Sequence, residues 1–271
     1  MASSKKRLDA LVFESGLAES GEGARRLIIA GLVKVDGQVR DKPGEKISPD
    51  AKVEVTGPAL KYVSRGGLKL ERALDRFGID LAGVKAMDIG ASTGGFTDCM
   101  LQRGASKVYA VDVGYGQLAW KLRQDPRVIV MERTNARNLD PNLFEEGIDF
   151  SSMDVSFISF LKVLPAVLKV GSDRLRCVIL VKPQFEAGRE KVGKNGVVRD
   201  PAVHEQVLDF AARGAYELGL AVGGVDYSPV KGPEGNIEYL MYLGKAGSGL
   251  MPVEDVAKLI RSTVREAHDN L

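Results

Sequence analysis

The sequence predicts an α/β protein with a mostly parallel sheet and an antiparallel strand at its edge, preceded by a smaller α/β unit. From Lys85 onward, apolar runs of strand length alternate with amphipathic helical stretches. This alternation is typical of a parallel sheet that helices cover on both faces. The last two apolar runs lie close together in the chain, so we expect one of these strands to pair antiparallel with its neighbour. Residues 1–57 contain only short elements, which indicates a small separate unit.

Apolar periodicity places the individual elements of the larger unit. The predicted strands are continuous or alternating apolar runs, at 86–89, 108–113, 128–131, 150–155, 177–181, 221–227 and 239–243. The predicted helices carry apolar residues on one face, at 66–78, 94–103, 117–124, 157–170, 202–218 and 253–267.

The N-terminal unit reads as two short helices followed by a hairpin. Ser15-Gly16 ends the first helix and Gly31 ends the second. Asp36-Gly37 predicts a two-residue turn, because such turns need positive φ angles. We therefore divide the chain into a binding unit at 1–57, a linker at 58–64 and a larger domain at 65–271.

Composition excludes several classes of protein. In 271 residues, 38 Lys and Arg stand against 36 Asp and Glu, a formal charge of +2, so any nucleic-acid binding must come from local charge. Two cysteines and two histidines are too few for a disulfide scaffold or a Cys/His zinc module, and we expect no metal site. The chain lacks a secretory signal and an apolar run long enough to span a membrane, so we expect a cytoplasmic protein.

A glycine-rich turn between a strand and a helix is the strongest local signal. It reads Asp88-Ile-Gly90-Ala-Ser-Thr-Gly-Gly95, and a ligand can approach such a backbone closely at the start of a helix. Asp112 ends the next predicted strand, where its carboxylate can accept both ribose hydroxyls of a nucleoside. The spacing differs from the Gly-x-Gly-x-x-Gly of dinucleotide-binding proteins. It favours S-adenosylmethionine over a nicotinamide cofactor.

Four charged residues lie where the predicted fold brings strand ends and a helix together. Asp154 and Lys182 each lie at the end of a predicted strand, Glu238 precedes the last strand, and Lys69 lies beside the apolar face of the helix after the linker. Open α/β sheets bind ligands at the carboxyl ends of their strands. Taken singly, each residue fits a solvated surface, and Asp154 fits a helix N-cap equally well.

The order Lys69, Asp154, Lys182, Glu238 together with the glycine loop resembles the RNA 2′-O-ribose methyltransferases of the FtsJ type. The N-terminal run Gly23-Ala-Arg-Arg-Leu-Ile28, followed by Gly31-Leu-Val-Lys-Val-Asp-Gly37, resembles an S4 RNA-binding domain. The combination, joined through residues 62–70, is similar to the TlyA family, whose members are often labelled haemolysins. The resemblance implies a Rossmann-like methyltransferase domain that uses S-adenosylmethionine and modifies ribosomal RNA or ribosomal subunits, with cytidine as the modified nucleotide.

The resemblance also implies roles for individual residues. The Lys-Asp-Lys-Glu tetrad corresponds to Lys69, Asp154, Lys182 and Glu238. A ribose hydroxyl is a weak acid, so the protein must align it and remove its proton; we expect Lys182 to accept that proton. The expected cofactor-binding residues belong to the glycine loop and the two strand ends that follow it: Asp88, Gly90, Ser92, Thr93, Gly94, Gly95, Phe96, Asp112 and Asn135. For Asp88 a role in bracing the loop is favoured, and for Asn135 a turn role competes with adenine contact.

Local positive charge predicts RNA contact. Residues 60–77 carry five cations against two acids, and the segment 184–199, to which we assign no role, adds four more cations beside the expected site. Basic residues around a cleft neutralise phosphates, and a shape-reading module suits structured RNA. The expected RNA-binding residues are basic positions of the N-terminal unit and the linker's end: Arg7, Arg25, Arg26, Lys34 and Arg65.

Alternatives remain open at this point. One is an RNA-binding protein with a decayed methyltransferase domain, and another is a membrane-active haemolysin, although no barrel or insertion-helix pattern is present. A nicotinamide oxidoreductase is disfavoured by the loop spacing. Apart from the tetrad, we expect Cys99, Cys177 and Trp120 to pack in the core and His204 to cap a helix or face solvent.

Overall fold

The computed structural model describes residues 5–18, 20–56, 61–144, 147–232, 234–245, 251 and 253–271. The chain divides into two compact units, Met1–Arg65 and Gly66–Leu271. Part of the expected linker, residues 58–60, lies outside the described residues, and residues 61–64 belong to the first unit.

The first unit pairs two helices with short strands around a small core. Its elements are β1 (Lys6–Arg7), α1 (Leu8–Glu14), α2 (Gly21–Ile29), β2 (Val33–Val35), β3 (Gln38–Arg40), β4 (Lys46–Ile47) and β5 (Val53–Val55). β1 pairs with β4, and β2 pairs antiparallel with both β3 and β5. Ser20 caps α2 by accepting a hydrogen bond from Gly23 N at 3.0 Å. Asp36 and Gly37 have φ angles of 50° and 80°, which confirms the predicted two-residue hairpin turn.

The second unit is a seven-stranded, mostly parallel sheet with helices around it. Its strands are β6 (Lys85–Ile89), β7 (Lys107–Val111), β8 (Val128–Met131), β9 (Ile148–Met153), β10 (Gly171–Val181), β11 (Leu220–Tyr227) and β12 (Tyr239–Lys245). Its helices are α3 (Gly66–Phe77), α4 (Gly95–Gln102), α5 (Trp120–Arg123), α6 (Leu164–Val170), α7 (Pro183–Glu186), α8 (Pro201–Glu217) and α9 (Val253–Asn270).

The strand order of this sheet is β11-β12-β10-β9-β6-β7-β8. β12 runs antiparallel to both β10 and β11, so the strand at this edge is antiparallel to its neighbour, as the sequence predicts. The main core lies between the sheet and helices α6, α8 and α9, with fully buried Leu164, Leu208 and Val264 among its members. Cys99 and Cys177 are buried, as expected.

Several predicted elements differ in length from those in the structure. β10 begins six residues earlier than predicted, because the polar residues 172–174 hide its start from an apolar pattern. The helix predicted at 157–170 is a 3₁₀ turn at Phe160–Lys162 followed by α6, which carries Pro165 in its first turn, where a proline is tolerated. The predicted packing of Trp120 is wrong: this side chain is 63% exposed on the short helix α5.

None of the described helices has both the length and the apolar character that crossing a membrane requires.

Candidate active site

The glycine loop joins β6 to α4 through a series of unusual backbone angles. Gly90, Ser92 and Gly94 have φ angles of 82°, 48° and 94°. Gly90 lies against the neighbouring strand end, and a Cβ at this position would collide with the carbonyl oxygen of Asp154. A side chain is therefore excluded here, and the loop backbone closely approaches the end of β9.

Asp88 braces this loop from inside the protein. Its side chain is fully buried, and it accepts hydrogen bonds from the backbone N–H of Thr97 at 2.9 Å, from the Thr97 hydroxyl at 2.7 Å and from the Ser152 hydroxyl at 3.1 Å. Burial raises the pKa of Asp88 to about 7. The carboxyl group thus ties β6 to α4 and β9 from a position without solvent contact.

Asp112 joins two loops at the end of β7. Its Oδ2 accepts from Ser92 N at 2.8 Å, and its Oδ1 accepts from Gly114 N at 2.6 Å. Each oxygen keeps a second lone pair for a ligand hydroxyl. Asp112 therefore holds the glycine loop against the loop after β7, so that the two loops form one continuous surface, called the wall below.

Glu132 orders the other side of this wall, and sequence reasoning missed it. It accepts a hydrogen bond from Gln117 N at 3.2 Å and forms an ion pair with Arg123. Gln117 in turn accepts from the Ser92 hydroxyl at 3.3 Å. These contacts join residues on separate loops, which come together only because the ends of β7 and β8 lie side by side in the fold.

A cavity of about 470 Å³ opens between these loops and the end of β9. Five of the expected site residues line it: Gly90, Ser92, Asp112, Asn135 and Asp154. The other expected cofactor residues, Asp88, Thr93, Gly94, Gly95 and Phe96, do not line it. Its volume lies in the range of small-molecule sites.

Asn135 combines a turn role with a place in the cavity wall. Its Oδ1 accepts from the backbone N–H of Arg137 at 3.1 Å and so caps the 3₁₀ turn Ala136–Asn138. The same side chain lines the cavity. The turn role of Asn135 is therefore confirmed, and its contact with adenine stays a prediction.

Lys182 and Asp154 form an ion pair where β9 and β10 end. The Nζ of Lys182 lies 2.5 Å from Oδ1 of Asp154 and donates to the Ser156 hydroxyl at 3.0 Å. The Lys182 side chain is 9% exposed and that of Asp154 is 24% exposed. Asp154 is not a helix N-cap, because the residues that follow it form no helix. The sequence does not single out Ser156, because only its contacts in the folded protein distinguish it from other serines.

Lys69 and Glu238 form a second, more deeply buried pair. The Nζ of Lys69, on α3, donates to Oε2 of Glu238 at 2.5 Å, and Glu238 directly precedes β12. Both residues are buried, so each charge depends on the other for compensation.

Strand register connects the two pairs. In the antiparallel pairing of β10 with β12, Val181 lies opposite Tyr239. Lys182 directly follows β10 and Glu238 directly precedes β12, so the two residues lie at the same end of this strand pair. Asp154 N donates to Ile89 O at 2.9 Å, which places the other end of the group next to the glycine loop. The four charged residues thus gather at the carboxyl edge of the sheet, beside the cavity.

An exposed aromatic residue borders the same cavity. Phe157 is 90% exposed and has a φ of 64°, an unfavourable angle for a phenylalanine. Its ring packs against that of Phe185 at 5.0 Å between centroids, and Phe185 lies 5.8 Å from the Nζ of Lys182. No pattern in the sequence indicates this backbone angle.

Two expected RNA-binding residues of the first unit share one acid. Arg7 binds Asp9 through two hydrogen bonds, of 2.9 and 2.7 Å, and Arg25 binds the same carboxylate at 3.0 Å. The Arg7 guanidinium lowers the pKa of Asp9 to about 2. Both arginine side chains remain more than half exposed, at 51% and 60%. The remaining expected residues, Arg26, Lys34 and Arg65, are partly exposed.

His204 differs from its expected position. It is fully buried instead of capping a helix or facing solvent, and both ring nitrogens have partners: Tyr239 OH at 2.8 Å and the carbonyl oxygen of Val198 at 3.1 Å. Burial lowers the pKa of His204 to about 4. Its helical position close to Pro201 gave no sign that the surrounding strands and α9 would cover it.

Metal ligands are not gathered anywhere in the described part of the chain. No group of three or more His, Cys, Asp or Glu side chains among those residues is arranged to hold a metal ion. What the site offers is a nucleoside-sized cavity next to two lysine–carboxylate pairs.

Comparisons with known proteins agree with this geometry. The profile of the FtsJ-like methyltransferases matches residues 62–245, and the profile of the S4 domain matches residues 6–53. YqxC of Bacillus subtilis, named as a candidate rRNA methyltransferase, is 52% identical over 275 residues, which cover 100% of this chain and 97% of that protein.

Two further relatives cover most of the chain. The 16S/23S rRNA (cytidine-2'-O)-methyltransferase TlyA of Mycobacterium tuberculosis is 48% identical over 240 residues, 88% of this chain and 90% of its own. A solved structure from Streptococcus thermophilus that carries the name hemolysin is 50% identical, with a TM-score of 0.78 over 99% of this chain and 98% of that one.

Proposed function

Because the chain belongs to the FtsJ-like methyltransferases, and within them to the TlyA family with its N-terminal S4 domain, we propose that it methylates the ribose 2′-hydroxyl of cytidine in ribosomal RNA. The family resemblance stated from the sequence is confirmed. The rRNA substrate is proposed from TlyA, whose name gives the reaction, and the S4 unit supplies an RNA-binding module. The proposed place of action is the cytoplasm, where ribosomal RNA is found.

One observation carries the proposed chemistry: two lysine–carboxylate pairs lie at the sheet edge beside a cavity whose wall contains Asp112. The cavity suits S-adenosylmethionine, because its volume is that of a small-molecule site, the loop backbone at Gly90 lines it, and Asp112 offers two acceptor oxygens to ribose hydroxyls. Bound there, S-adenosylmethionine supplies an electrophilic methyl group on a positively charged sulfur.

The protein's own part is to remove a proton and to align the nucleophile. In the proposed mechanism Lys182 passes a proton to Asp154, with which it is paired at 2.5 Å. The neutral Nζ of Lys182 would then take the proton of the ribose 2′-hydroxyl as the oxygen bonds to the methyl carbon and the bond from that carbon to sulfur breaks. Asp154, which is the more exposed partner, afterwards releases its proton to solvent, which restores the pair.

Lys69 and Glu238 act as positioning groups in this proposal. Their mutual hydrogen bond fixes both side chains, and Glu238 lies at the same end of the β10–β12 pair as Lys182. Alignment of this kind contributes much of the rate of a bimolecular transfer. The exposed ring of Phe157 offers a stacking surface for an unpaired base near the tetrad.

The proposal is tested by incubating purified protein and methyl-labelled S-adenosylmethionine with ribosomal subunits or naked rRNA from cells that lack the gene. We expect 2′-O-methylcytidine after nuclease digestion and mass spectrometry. Label on a base, or no label in either RNA, contradicts the proposed reaction. The same assay identifies the modified position and distinguishes an assembled subunit from free RNA as substrate.

The alternative functions considered from the sequence are not favoured. The intact arrangement of both lysine–carboxylate pairs argues against a decayed catalytic domain. No observation on the described residues supports a membrane-lysing or nicotinamide-dependent activity.

A further inference from the structure

A buried polar network lies next to the tetrad and takes no part in the mechanism above. Asn236 is 2% exposed; its Oδ1 accepts from Val198 N at 3.0 Å, and its Nδ2 donates to Gly196 O at 2.9 Å. The His204 Nε2 lies 3.1 Å from Val198 O and must donate to it, since a carbonyl only accepts. Its Nδ1 is then an acceptor, with Tyr239 OH at 2.8 Å and the Nε2 of His268 at 3.1 Å as its neighbours.

This network holds one particular segment, residues 188–199, which we term the basic segment. It contains only two 3₁₀ turns, Arg189–Lys191 and Lys194–Gly196, and no strand. Val197 and Val198 are buried, whereas all four cations are exposed: Arg189, Lys191, Lys194 and Arg199. Glu190 is the one acid within it. The segment therefore presents net positive charge on a backbone that is fixed mainly by its buried valines and by the network.

The anchors of the basic segment flank a tetrad residue. Asn236 precedes Glu238 by two positions, and Tyr239 follows it directly. The lead-in to β12 is itself fixed, because Gly232 N donates to Asn236 O at 2.9 Å and Ser228 N donates to Glu238 O at 2.8 Å. The Asn236 side chain thus anchors the segment with the exposed cations, while the backbone of Glu238 is held separately by Ser228.

We propose that Asn236 is a positioning residue that acts through the basic segment. By anchoring this segment it holds the exposed cations where they bind phosphates of the substrate RNA, aligned with Glu238. The inference rests on the proposed function, because it takes RNA as the substrate. A bidentate amide suits this role: it binds one carbonyl and one N–H of the segment, as a neighbouring strand would. His204 reinforces the same attachment from α8.

The test combines RNA binding with steady-state kinetics for Asn236→Ala, with Asn142→Ala as the matched control on an exposed turn. We expect the KM for rRNA to rise at least fivefold and the salt dependence of RNA binding to weaken, since fewer phosphates are neutralised. The turnover at saturating RNA and the Kd for S-adenosylmethionine are expected to stay within twofold of the wild type. A loss of turnover at unchanged KM overturns the proposal, because Asn236 would then act on Glu238 alone.

A double-mutant cycle decides whether Asn236 acts through the segment. Lys194→Ala/Arg199→Ala is measured in the wild-type and in the Asn236→Ala background. In the wild-type background we expect removal of these two cations to raise the KM for rRNA. In the Asn236→Ala background we expect the same removal to change KM by less than twofold, because a segment without its anchor no longer holds the cations in place. Additive effects overturn the proposal.

A second variant and the activity of the wild-type protein separate the possible outcomes. If Asn236→Ala does not fold, Asn236→Asp carries the same test, since it keeps the acceptor for Val198 N and loses the donor to Gly196 O. Absence of methyl transfer by the wild-type protein is a failure of the proposed function, whereas unchanged RNA affinity of the Asn236 variants is a failure of this inference.

Discussion

The Nζ of Lys69 lies 2.5 Å from Oε2 of Glu238, although 169 positions separate the two residues in the chain. Their side chains are 11% and 2% exposed, so neither charge is well solvated without the other. A buried charge that loses its partner is strongly destabilising, whereas replacing both members by apolar residues of similar size is often neutral. This asymmetry allows the structural and catalytic contributions of the pair to be separated.

Glu238→Met alone is expected to lower the free energy of unfolding by about 3–5 kcal/mol, because it leaves the Lys69 ammonium buried without a counter-charge. The double variant Lys69→Met/Glu238→Met is expected to regain most of that stability and to remain inactive. Urea unfolding and the methylation assay, run on the same samples, measure both quantities. A double variant as unstable as the single one contradicts this account, and an active double variant removes the pair from the mechanism.

Lys182→Ala is expected to reduce the turnover number by about 10²–10⁴-fold, the usual loss when a positioned acid–base group is removed. The Kd for S-adenosylmethionine is expected to change by less than twofold, because Lys182 does not line the cavity. Isothermal titration and single-turnover kinetics check the two values, with Lys169→Ala on the exposed side of α6 as control. Equal losses in turnover and cofactor affinity would point to a folding or binding role.

Asp112→Asn is expected to weaken S-adenosylmethionine binding by roughly 10- to 100-fold, the loss that follows from removing charged hydrogen bonds. The amide places an N–H against either Ser92 N or Gly114 N, both of which donate to the wild-type carboxylate. Isothermal titration measures the affinity, and the exposed residue Asp41 supplies a control, Asp41→Asn. An unchanged Kd would show that this carboxylate does not contact the cofactor.

His204 is expected to make stability depend on pH. Burial lowers its pKa from 6.5 to about 4, so between these values the unfolded chain binds more protons than the folded protein. The free energy of unfolding therefore falls as the pH falls from about 6.5 to about 4, by on the order of 2–3 kcal/mol. His268, whose Nε2 lies 3.1 Å from His204, has its pKa lowered mainly by burial and acts in the same direction.

Asp88 changes the free energy of unfolding in the opposite direction in part of this pH range. Burial raises its pKa to about 7, so it contributes stability at low pH that is lost as the pH rises towards 7. The two contributions are separated by comparing urea unfolding of the wild type and His204→Gln between pH 4.5 and 8. The wild-type curve is expected to fall more steeply towards low pH than the His204→Gln curve, and parallel curves would refute the assignment to His204.

The sheet and the glycine loop were predictable because both are expressed locally in the sequence. Apolar runs mark β6 to β9 within a few residues, and the glycine loop with its flanking acid marks the ligand edge. The tetrad residues each lie beside a strand end or a helix face, but the resemblance to the FtsJ-type methyltransferases is what singles them out from other charged residues. The bracing role of Asp88 and the turn role of Asn135 also follow from the sequence.

Other features depend on neighbours that the sequence does not identify. Asn236 meets Gly196 and Val198 across about 40 positions, and nothing in the local pattern assigns it a partner. Trp120 lies on a helix of a single turn, too short for its apolar periodicity to predict burial. The positive φ of Phe157 arises where the chain leaves β9 without forming the predicted helix. Tertiary context decides each of these cases.

The position of β12 has a consequence during protein synthesis. This strand enters the sheet between β10 and β11, and Glu238 immediately precedes it. A nascent chain that has not yet released residues 239–245 from the ribosome has Lys69, Asp154 and Lys182 but cannot complete the group. The four charged residues therefore come together only after the chain has been synthesised beyond residue 245 and β12 has entered the sheet.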